Sequence, residues 1–472
     1  MSFRGFCCLL FALVPVYLCL AAFVPPFDDE FYYWCWSRDL QLSYYDHPPL
    51  VAYMIRAATE LFGDSILAIR LPAVVSATVV AAVVGWLCRD RALLPCILLS
   101  PALTFAAIMV TPDTPMLMFW ALYLAWLVRV HERLATHPDS RVGLWFWLLG
   151  GLLLGCGVLG KYTTGLAAVC GGISFLFAGS PRRWAFGYVV HAVVSVLVAS
   201  PILIHNIECG FVPIRYQWRH SMSSSIPGLA PFAEFVGVQV LLFGALPFVV
   251  FVWTVRHRHE LLADPRLRVC ACLFVIPFAF FLMKATRGRL EGNWAFPCYL
   301  ACWPLAAEWY SRARESRVGR WGVAAAFALP LFVSTVFAFH TFGLVPMLPP
   351  AIDRPALQTA KMNLAATVAA DLRDSGYTGP VYAPTYQWTA ILRWHGIDAH
   401  QLDGFSRPSH FTEHGNPRPT SGRVLMLLNA PKLPAAVPRL GVPRPAACYP
   451  LECRGRLREL CWLMEFDPLP DE

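Results

Sequence analysis

The sequence predicts a polytopic α-helical membrane protein with a small C-terminal α/β domain, and three observations carry this prediction. Of its 472 residues, 57% are hydrophobic and only 14% are charged, whereas a soluble domain has about 25% charged residues. The apolar residues form blocks of about 20, the length of a membrane-spanning helix, without the alternation of barrel strands. Residues 351–472 hold 25 of the 68 charges and 14 of the 39 prolines, which is typical of a domain outside the bilayer.

Eleven apolar runs are predicted to span the membrane. The first has 19 residues and follows Arg4, and its length together with the ten later runs favours an uncleaved helix over a signal peptide. Two runs, 115–130 and 164–179, are short, so either could be re-entrant. The eleven runs are 6–24, 66–88, 92–110, 115–130, 143–160, 164–179, 184–204, 231–255, 267–283, 293–311 and 321–342.

The distribution of basic residues predicts the orientation in the membrane. With a cytoplasmic N-terminus, the inner loops hold sixteen Lys and Arg residues and the outer loops nine, in keeping with the excess of positive charge on cytoplasmic loops. Eleven spans make this a multi-pass membrane protein and place residues 351–472 outside the cytoplasm. The net charge of +8 is scattered over loops and does not indicate nucleic-acid binding.

The tail is predicted to contain regular structure only in its first part. Residues 364–373 have a helical pattern, whereas 380–383 and 424–428 are typical of strands. The region after Pro431 is predicted to be irregular. Eleven of the sixteen cysteines lie in or beside apolar runs, where Cys behaves as a small apolar residue, so no disulfide framework is expected.

The first predicted outer loop, residues 25–65, contains candidate catalytic acids. Asp28, Asp29 and Glu30 precede aromatic residues at positions 31–34 and 36, a pattern that suits a helix lying at the membrane interface. The acids fall at the helix N-terminus, where the helix dipole favours an ionised carboxylate. An ionised carboxylate could act as a general base towards an acceptor, and the alternative is that the three acids cap the helix and face solvent.

The same loop continues with YYDHPPL, in which Asp46 and His47 precede two prolines. These side chains could bind a divalent cation or a phosphate, or could cap the next helix. A usual metal site needs at least three protein ligands, and the sequence supplies two, so no metal is assigned.

Two further charged residues lie at outer ends of apolar runs. Asp113, in TPDTP, is the only acid between Asp90 and Glu132, and an ionisable residue at this depth is a candidate functional residue. Lys161, in LGKYTTG, is a single cation at the end of an apolar run, where it could bind a ligand or extend to the interface.

The segment KATRGRLEGNW, residues 284–294, carries three cations on the less basic side of the membrane. Lys284, Arg287 and Arg289 are suited to bind a phosphate, with Glu291 and Asn293 as supporting residues. The alternative is a charged surface turn.

Together these residues suit an enzyme whose substrate is a sugar linked to a lipid phosphate at the membrane surface. Cations would offset the charge of the leaving phosphate, and a carboxylate would take the proton of the acceptor. This hypothesis requires the acidic and basic side chains to meet in one pocket at the extracytoplasmic face.

Seven motifs resemble those of polyprenyl-phosphate-sugar-dependent glycosyltransferases of the GT-C fold, in the branch of bacterial aminoarabinose transferases and protein mannosyltransferases. In chain order they are DEFYYW, SYYDHPPL, FGDSILAIRLPA, TPDTPMLMFWAL, LGKYT, SPILIHN and RGRLEGNW.

The resemblance implies an extracytoplasmic active site with no certain cofactor. Asp29 is the preferred base within the pair Asp29 and Glu30. Asp28 is the alternative if the match to the family motif is shifted by one residue. Asp113 would orient the acceptor or support the base. The donor phosphate would meet Lys161, Lys284, Arg287 and Arg289, and also His47, whose partial protonation near neutral pH weakens that assignment; Asp46, Glu291 and Asn293 would support the site.

The resemblance also implies a polyprenyl-phosphate-linked sugar as donor and a lipid, glycan or protein acceptor. A transporter or a flippase for lipid-linked sugars is the alternative. Transporters place ionisable residues near the bilayer midplane and often show repeats, whereas this sequence shows neither feature. A non-catalytic membrane scaffold is a third possibility, against which the order of the motifs argues.

Overall fold

The computed structural model of the protein describes residues 2–137, 141–179, 181–222, 229–342, 348–349, 353–413, 424–429 and 442–466. The described chain is mostly helical. Its helices are α1 (Phe3–Phe23), α2 (Asp28–Arg38), α3 (Leu50–Phe62), α4 (Ile66–Leu87), α5 (Leu94–Leu98), α6 (Pro101–Ile108), α7 (Asp113–Thr136), α8 (Leu144–Gly160), α9 (Gly165–Leu176), α10 (Ala185–Val198), α11 (Ser200–Glu208), α12 (Val212–Met222), α13 (Leu229–Phe243), α14 (Leu246–Arg256), α15 (Arg258–Ala263), α16 (Pro265–Ala285), α17 (Phe296–Ala313), α18 (Arg317–Thr341), α19 (Arg354–Asp374) and α20 (Tyr386–Trp394). Short 3-10 helices cover Tyr162–Thr164, Pro181–Arg183 and Gly292–Ala295, and the strands are β1 (Val381–Ala383), β2 (Ala399–Gln401), β3 (Val424–Asn429), β4 (Arg444–Cys453) and β5 (Arg456–Phe466).

The predicted apolar runs lie largely in helices, but the count of eleven spans is not confirmed. Among the described residues, α1, α4, α16 and α18 are each long and apolar enough to cross a membrane. The number rises to seven if α6–α7, α10–α11 and α13–α14, which are bent by 117°, 46° and 102°, each form one span. Run 92–110 is divided between α5 and α6, because Pro101 has no amide hydrogen and begins a new helix.

The chain divides into two compact units, each described by itself. Unit 1 comprises Met1–Ala22 and His47–Phe337, and unit 2 comprises Phe23–Asp46 and Ala338–Glu472. The sequence predicts a transmembrane domain over residues 1–350, which includes the first outer loop, and an extracytoplasmic domain over residues 351–472. In the structure, the part of that loop that carries the three acids groups with the C-terminal residues.

Small residues bring the helices of unit 1 into close contact. A Cβ atom at Gly151 would lie 2.6 Å from Val194 Cβ, and one at Gly155 would lie 2.6 Å from Val198 Cβ. Glycines four residues apart on α8 therefore allow α10 to approach closely, as is common between membrane helices.

Unit 2 contains a mixed five-stranded sheet in the order β2-β1-β3-β5-β4, in which β1 pairs in parallel with β2 and β3. The predicted helix 364–373 lies within α19, and the two predicted strands overlap β1 and β3. The expectation of irregular structure after Pro431 is wrong for residues 444–466, which form the antiparallel pair β4–β5. Prolines at 445 and 450 weakened the strand pattern, but β4 is an edge strand, where a missing amide hydrogen is tolerated.

Candidate active site

The three consecutive acids form the first turn of α2, as the sequence predicted, and most of the aromatic residues that follow them are buried within the protein. Phe31, Tyr32 and Trp36 are at most 1% exposed. The ring of Phe31 packs 5.3 Å from that of Trp394, and Tyr32 packs 4.6 Å from Tyr386. The aromatic residues of α2 therefore belong to the core of unit 2, because rings of the C-terminal part cover them.

Asp29 lies exposed to solvent at the start of α2. Its Oδ1 accepts a hydrogen bond from the hydroxyl of Tyr386, 2.9 Å away. The protein that surrounds the carboxyl group on its other sides displaces water, and this desolvation raises the pKa of Asp29; the bond from Tyr386 lowers it and the charge of Asp28 raises it. Desolvation and the charge of Asp28 thus act against the helix dipole, which favours the ionised carboxylate.

The other two acids of the turn have structural partners. Asp28 Oδ2 lies 2.7 Å from Lys361 Nζ, and both side chains are mostly buried. Glu30 is fully buried, and its Oε2 accepts a hydrogen bond from the backbone amide of Phe27 at 2.9 Å, which satisfies a free amide at the helix N-terminus. Of the three carboxylates, Asp29 is the one exposed to solvent.

Asp46 is 4% exposed and is held by two side chains of unit 2. Its Oδ2 accepts from the hydroxyl of Tyr32 at 2.6 Å, and its Oδ1 accepts from Nη1 of Arg407 at 2.6 Å. Each carboxylate oxygen of Asp46 thus already accepts a hydrogen bond. His47, partly exposed, is the first residue of the second segment of unit 1.

In unit 1, Asp113, Lys161 and Asn293 come together from three distant segments. Lys161 Nζ lies 2.7 Å from Asp113 Oδ1, and Asn293 Nδ2 donates to Asp113 Oδ2 at 2.6 Å. The side chains of Asp113 and Lys161 are 14% and 11% exposed, so their charges compensate each other where water is scarce. The ammonium group retains further N–H donors for a ligand.

Local structure places each member of this group. Asp113 is the first residue of α7, where the positive end of the helix dipole stabilises its charge. Lys161 follows the last residue of α8. Asn293 lies in the 3-10 helix Gly292–Ala295, whose Gly292 carbonyl accepts from Gln239 Nε2 at 3.0 Å. Tyr299 in turn donates to Gln239 Oε1 at 2.8 Å, which fixes the amide.

The predicted phosphate-binding cations differ in their surroundings. Arg289 Nε lies 3.2 Å from Glu234 Oε1, with both side chains largely exposed. Arg287 is exposed, and within the described chain its side chain forms no hydrogen bond or ion pair. Lys284 is half-buried in the last turn of α16 and has a partner, whereas Glu291 is exposed. Arg287 is thus the cation of this segment that is open to a ligand.

Sequence reasoning missed Tyr386, Arg407 and Lys361, which contact the acids of segment 28–46. They are 333 to 361 residues from their partners in the chain. The segment APTYQWTAILRWHGIDAHQLDG, which contains Tyr386, resembles the C-terminal segment of GT-C enzymes, but this resemblance does not indicate a contact with the acids.

Comparison with known proteins identifies relatives of this chain. Residues 46–205 match the family of dolichyl-phosphate-mannose-protein mannosyltransferases. The chain is 27% identical over 314 residues to the lipid A galacturonosyltransferase RgtD of Rhizobium johnstonii. That alignment covers 61% of this chain and 63% of RgtD, so the chain matches less than two thirds of the relative's length.

Solved structures show the same fold. ArnT from Cupriavidus metallidurans bound to undecaprenyl phosphate superposes with a TM-score of 0.64 at 14% identity, over 98% of each chain. The oligosaccharyltransferase AglB from Archaeoglobus fulgidus, in complex with an inhibitory peptide and a dolichol-phosphate, has a TM-score of 0.51 at 12% identity, over 85% of this chain and 64% of AglB. The resemblance predicted from the motifs is confirmed: the chain is a multi-pass membrane protein with the GT-C fold of ArnT.

Proposed function

We propose that this GT-C membrane protein is a glycosyltransferase that moves a sugar from a polyprenyl-phosphate donor to an acceptor of the cell envelope. The likeness to ArnT supports the donor class, because that structure contains undecaprenyl phosphate and matches 98% of the chain. The likeness to RgtD favours lipid A among the lipid, glycan and protein acceptors. The reaction would take place at the extracytoplasmic face of a bacterial inner membrane.

The reaction is a single displacement at the anomeric carbon of the sugar. The acceptor hydroxyl loses its proton to the Asp29 carboxylate, and its oxygen forms a bond to the anomeric carbon. The bond from that carbon to the phosphate oxygen breaks, and the polyprenyl phosphate leaves with the electron pair. The transition state resembles an oxocarbenium ion, and inversion at the anomeric carbon is expected.

The observation that carries this proposal is the state of Asp29. It is exposed, whereas Asp28 is paired with Lys361 and Glu30 is buried. A raised pKa makes a carboxylate a stronger base at neutral pH, which is what general-base catalysis requires. Glu30 and Asp28 would then maintain the helix start and the local charge balance.

We assign the leaving phosphate to Arg287, with Lys284 and Arg289 as further contacts and with Lys161 and His47 as the remaining candidates. An unpaired guanidinium group can donate two hydrogen bonds to phosphate oxygens. Asp113 would orient the acceptor, with Lys161 and Asn293 fixing its carboxylate. No metal is required by this scheme.

The test is a transfer assay with purified protein in lipid nanodiscs. Undecaprenyl-phosphate-linked galacturonic acid and aminoarabinose are the first donors and lipid A is the first acceptor, with mass spectrometry of the product. We expect Asp29→Asn to reduce turnover by about 10³-fold or more, because the amide that replaces the carboxylate cannot act as a general base. Binding of undecaprenyl phosphate and the apparent melting temperature should not fall.

Asp374→Asn is the matched control, because Asp374 is an exposed acid of the same unit at the end of α19. Full turnover by Asp29→Asn, Asp28→Asn and Asp113→Asn alike would reject the carboxylate mechanism. Movement of the donor across sealed vesicles without product would instead identify a flippase.

A further inference from the structure

Asp29 is held by a residue of the C-terminal part of unit 2. The hydroxyl of Tyr386 donates to it at 2.9 Å across 357 residues of sequence. Tyr386 is the first residue of α20, whose N-cap Thr385 accepts a hydrogen bond from the backbone amide of Trp388. Since a capped helix fixes the backbone at its first turn, the hydroxyl is directed at Asp29 by a rigid element.

Arg407 contacts the Tyr386 side chain and links it to a second acid. Its guanidinium carbon lies 4.4 Å from the centroid of the Tyr386 ring, an arrangement that attracts a cation to an aromatic face. Nη1 of the same guanidinium donates to Asp46 Oδ1 at 2.6 Å. Asp46 also accepts from Tyr32, whose oxygen accepts from the backbone amide of His410 at 2.8 Å.

These contacts form a continuous series from Asp46 through Arg407 and Tyr386 to Asp29. Each side chain between the ends has two partners, so rotation of any one would break another contact. The Tyr386 hydroxyl therefore donates to the Asp29 carboxylate from a fixed direction. A water molecule in the same place would not be held in one orientation.

We propose that Tyr386 is a positioning residue that orients the Asp29 carboxylate and favours its ionised form, and that Arg407 holds Tyr386 in place. This rests on the assignment of Asp29 as the base and adds two residues outside the segment 46–205 that the mannosyltransferase family matches. The C-terminal residues would then contribute to the chemical step.

The charges around Asp29 determine the direction of the expected change. Desolvation raises its pKa, and the carboxylates of Asp28 and Asp46 raise it as well. The Tyr386 hydrogen bond and the Arg407 charge lower it, while Lys361 pairs with Asp28 at 2.7 Å. Loss of the hydroxyl therefore raises the pKa of Asp29 further, and the acidic limb of the pH–rate profile moves to higher pH.

The experiment compares Tyr386→Phe with wild-type protein in nanodiscs, using undecaprenyl-phosphate-linked sugar and lipid A. We expect kcat/KM to fall about fivefold on the alkaline plateau, as for loss of one hydrogen bond, and more steeply at acidic pH. Tyr449→Phe is the matched control, since Tyr449 donates to Asp371 at 2.7 Å in the same unit. Its profile should keep the wild-type midpoint.

A second measurement does not depend on turnover. A carbodiimide modifies protonated carboxyl groups, so the pH of half-maximal labelling of Asp29, followed by peptide mass spectrometry, reports its ionisation. Labelling should persist to higher pH in Tyr386→Phe and in Arg407→Gln than in the wild type.

The two readouts separate the possible failures. Unchanged labelling and an unchanged acidic limb in Tyr386→Phe would overturn the positioning role while leaving the proposed function intact. Shifted labelling in Tyr386→Phe, together with a wild-type protein that transfers no sugar, would support the contact and reject the proposed function.

Discussion

At the scale of single residues, the difference between Arg287 and Arg289 separates two neighbours that look equivalent in the sequence. Arg289 already has a carboxylate partner in Glu234, whereas the Arg287 side chain is exposed and unpaired within the described chain. A cation that must leave one anion to bind another gains little from the exchange. The free guanidinium group is therefore the better phosphate contact.

We expect Arg287→Ala to weaken binding of undecaprenyl phosphate about tenfold, the effect of losing a charge-assisted hydrogen bond near the lower end of its usual range. Arg289→Ala should have a smaller effect because Glu234 shares that side chain. Titration of protein in nanodiscs with undecaprenyl phosphate measures both. Arg256→Ala, an exposed arginine at the end of α14, is the control; equal affinity of Arg287→Ala and wild type would remove Arg287 from the donor site.

Most of the candidate acids could be found from sequence, but their individual states could not. Position at the start of a helix and the scarcity of acids in apolar surroundings indicated Asp28, Asp29, Glu30 and Asp113. Whether an acid is exposed, ion-paired or used as a helix cap depends on its partners in the folded chain. Examples are Lys361, which pairs with Asp28, and Tyr386, which donates to Asp29. No local pattern specifies those partners.

At the scale of elements, the contact between α7 and α8 places Lys161 beside Asp113. The C-terminal residue of α8, Gly160, approaches the start of α7 so closely that a Cβ atom would lie 2.8 Å from the amide nitrogen of Met116 and 3.1 Å from Pro115. Backbone atoms cannot yield as a flexible side chain can. Glycine at this position therefore lets the end of α8, which precedes Lys161, approach the start of α7.

We expect Gly160→Ala to destabilise the protein by about 1–3 kcal/mol, as for overpacking of a tight contact, and to reduce transfer by separating Lys161 from Asp113. Gly165→Ala is a matched control five residues later, because a Cβ atom there would have no atom within 4 Å. Alanine is also the better helix former, so this control should be neutral or slightly stabilising. Thermal unfolding in detergent measures both variants, and a Gly160→Ala protein as stable as the wild type would show that α7 moves without cost.

Prolines explain where the predicted spans and the helices differ. Pro101 begins α6, and Pro112 and Pro115 flank the first residue of α7, where α6 and α7 meet at 117°. Hydrophobicity alone gives two runs, 92–110 and 115–130, whereas α7 itself extends over 24 residues to Thr136. Hydropathy finds apolar residues reliably, but a bend between helices depends on packing.

At the scale of the whole molecule, the asymmetry of basic residues predicts the side on which the chemistry occurs. Sixteen Lys and Arg residues on one side against nine on the other favour a cytoplasmic N-terminus. Residues 351–472 would then lie outside the cytoplasm, together with the acids of the first outer loop.

We expect a cysteine at position 374 to react with a membrane-impermeant maleimide in intact cells, and a cysteine at position 320 to react only after permeabilisation. Both positions are exposed. The background protein should lack the exposed Cys7, Cys8, Cys19 and Cys448. Labelling of position 374 only from within would reverse the orientation.

The sequence by itself determined that this is a helical membrane protein and that it resembles GT-C enzymes, because composition, apolar block length and ordered motifs are local properties of the chain. Only the tertiary structure decided that Tyr386 and Arg407 hold Asp29 and Asp46, across 357 and 361 residues. It also decided that Asn293 and Lys161 share Asp113. Contacts of this kind follow from how separate elements pack, and neither helical periodicity nor hydropathy encodes which distant side chain fills a given space.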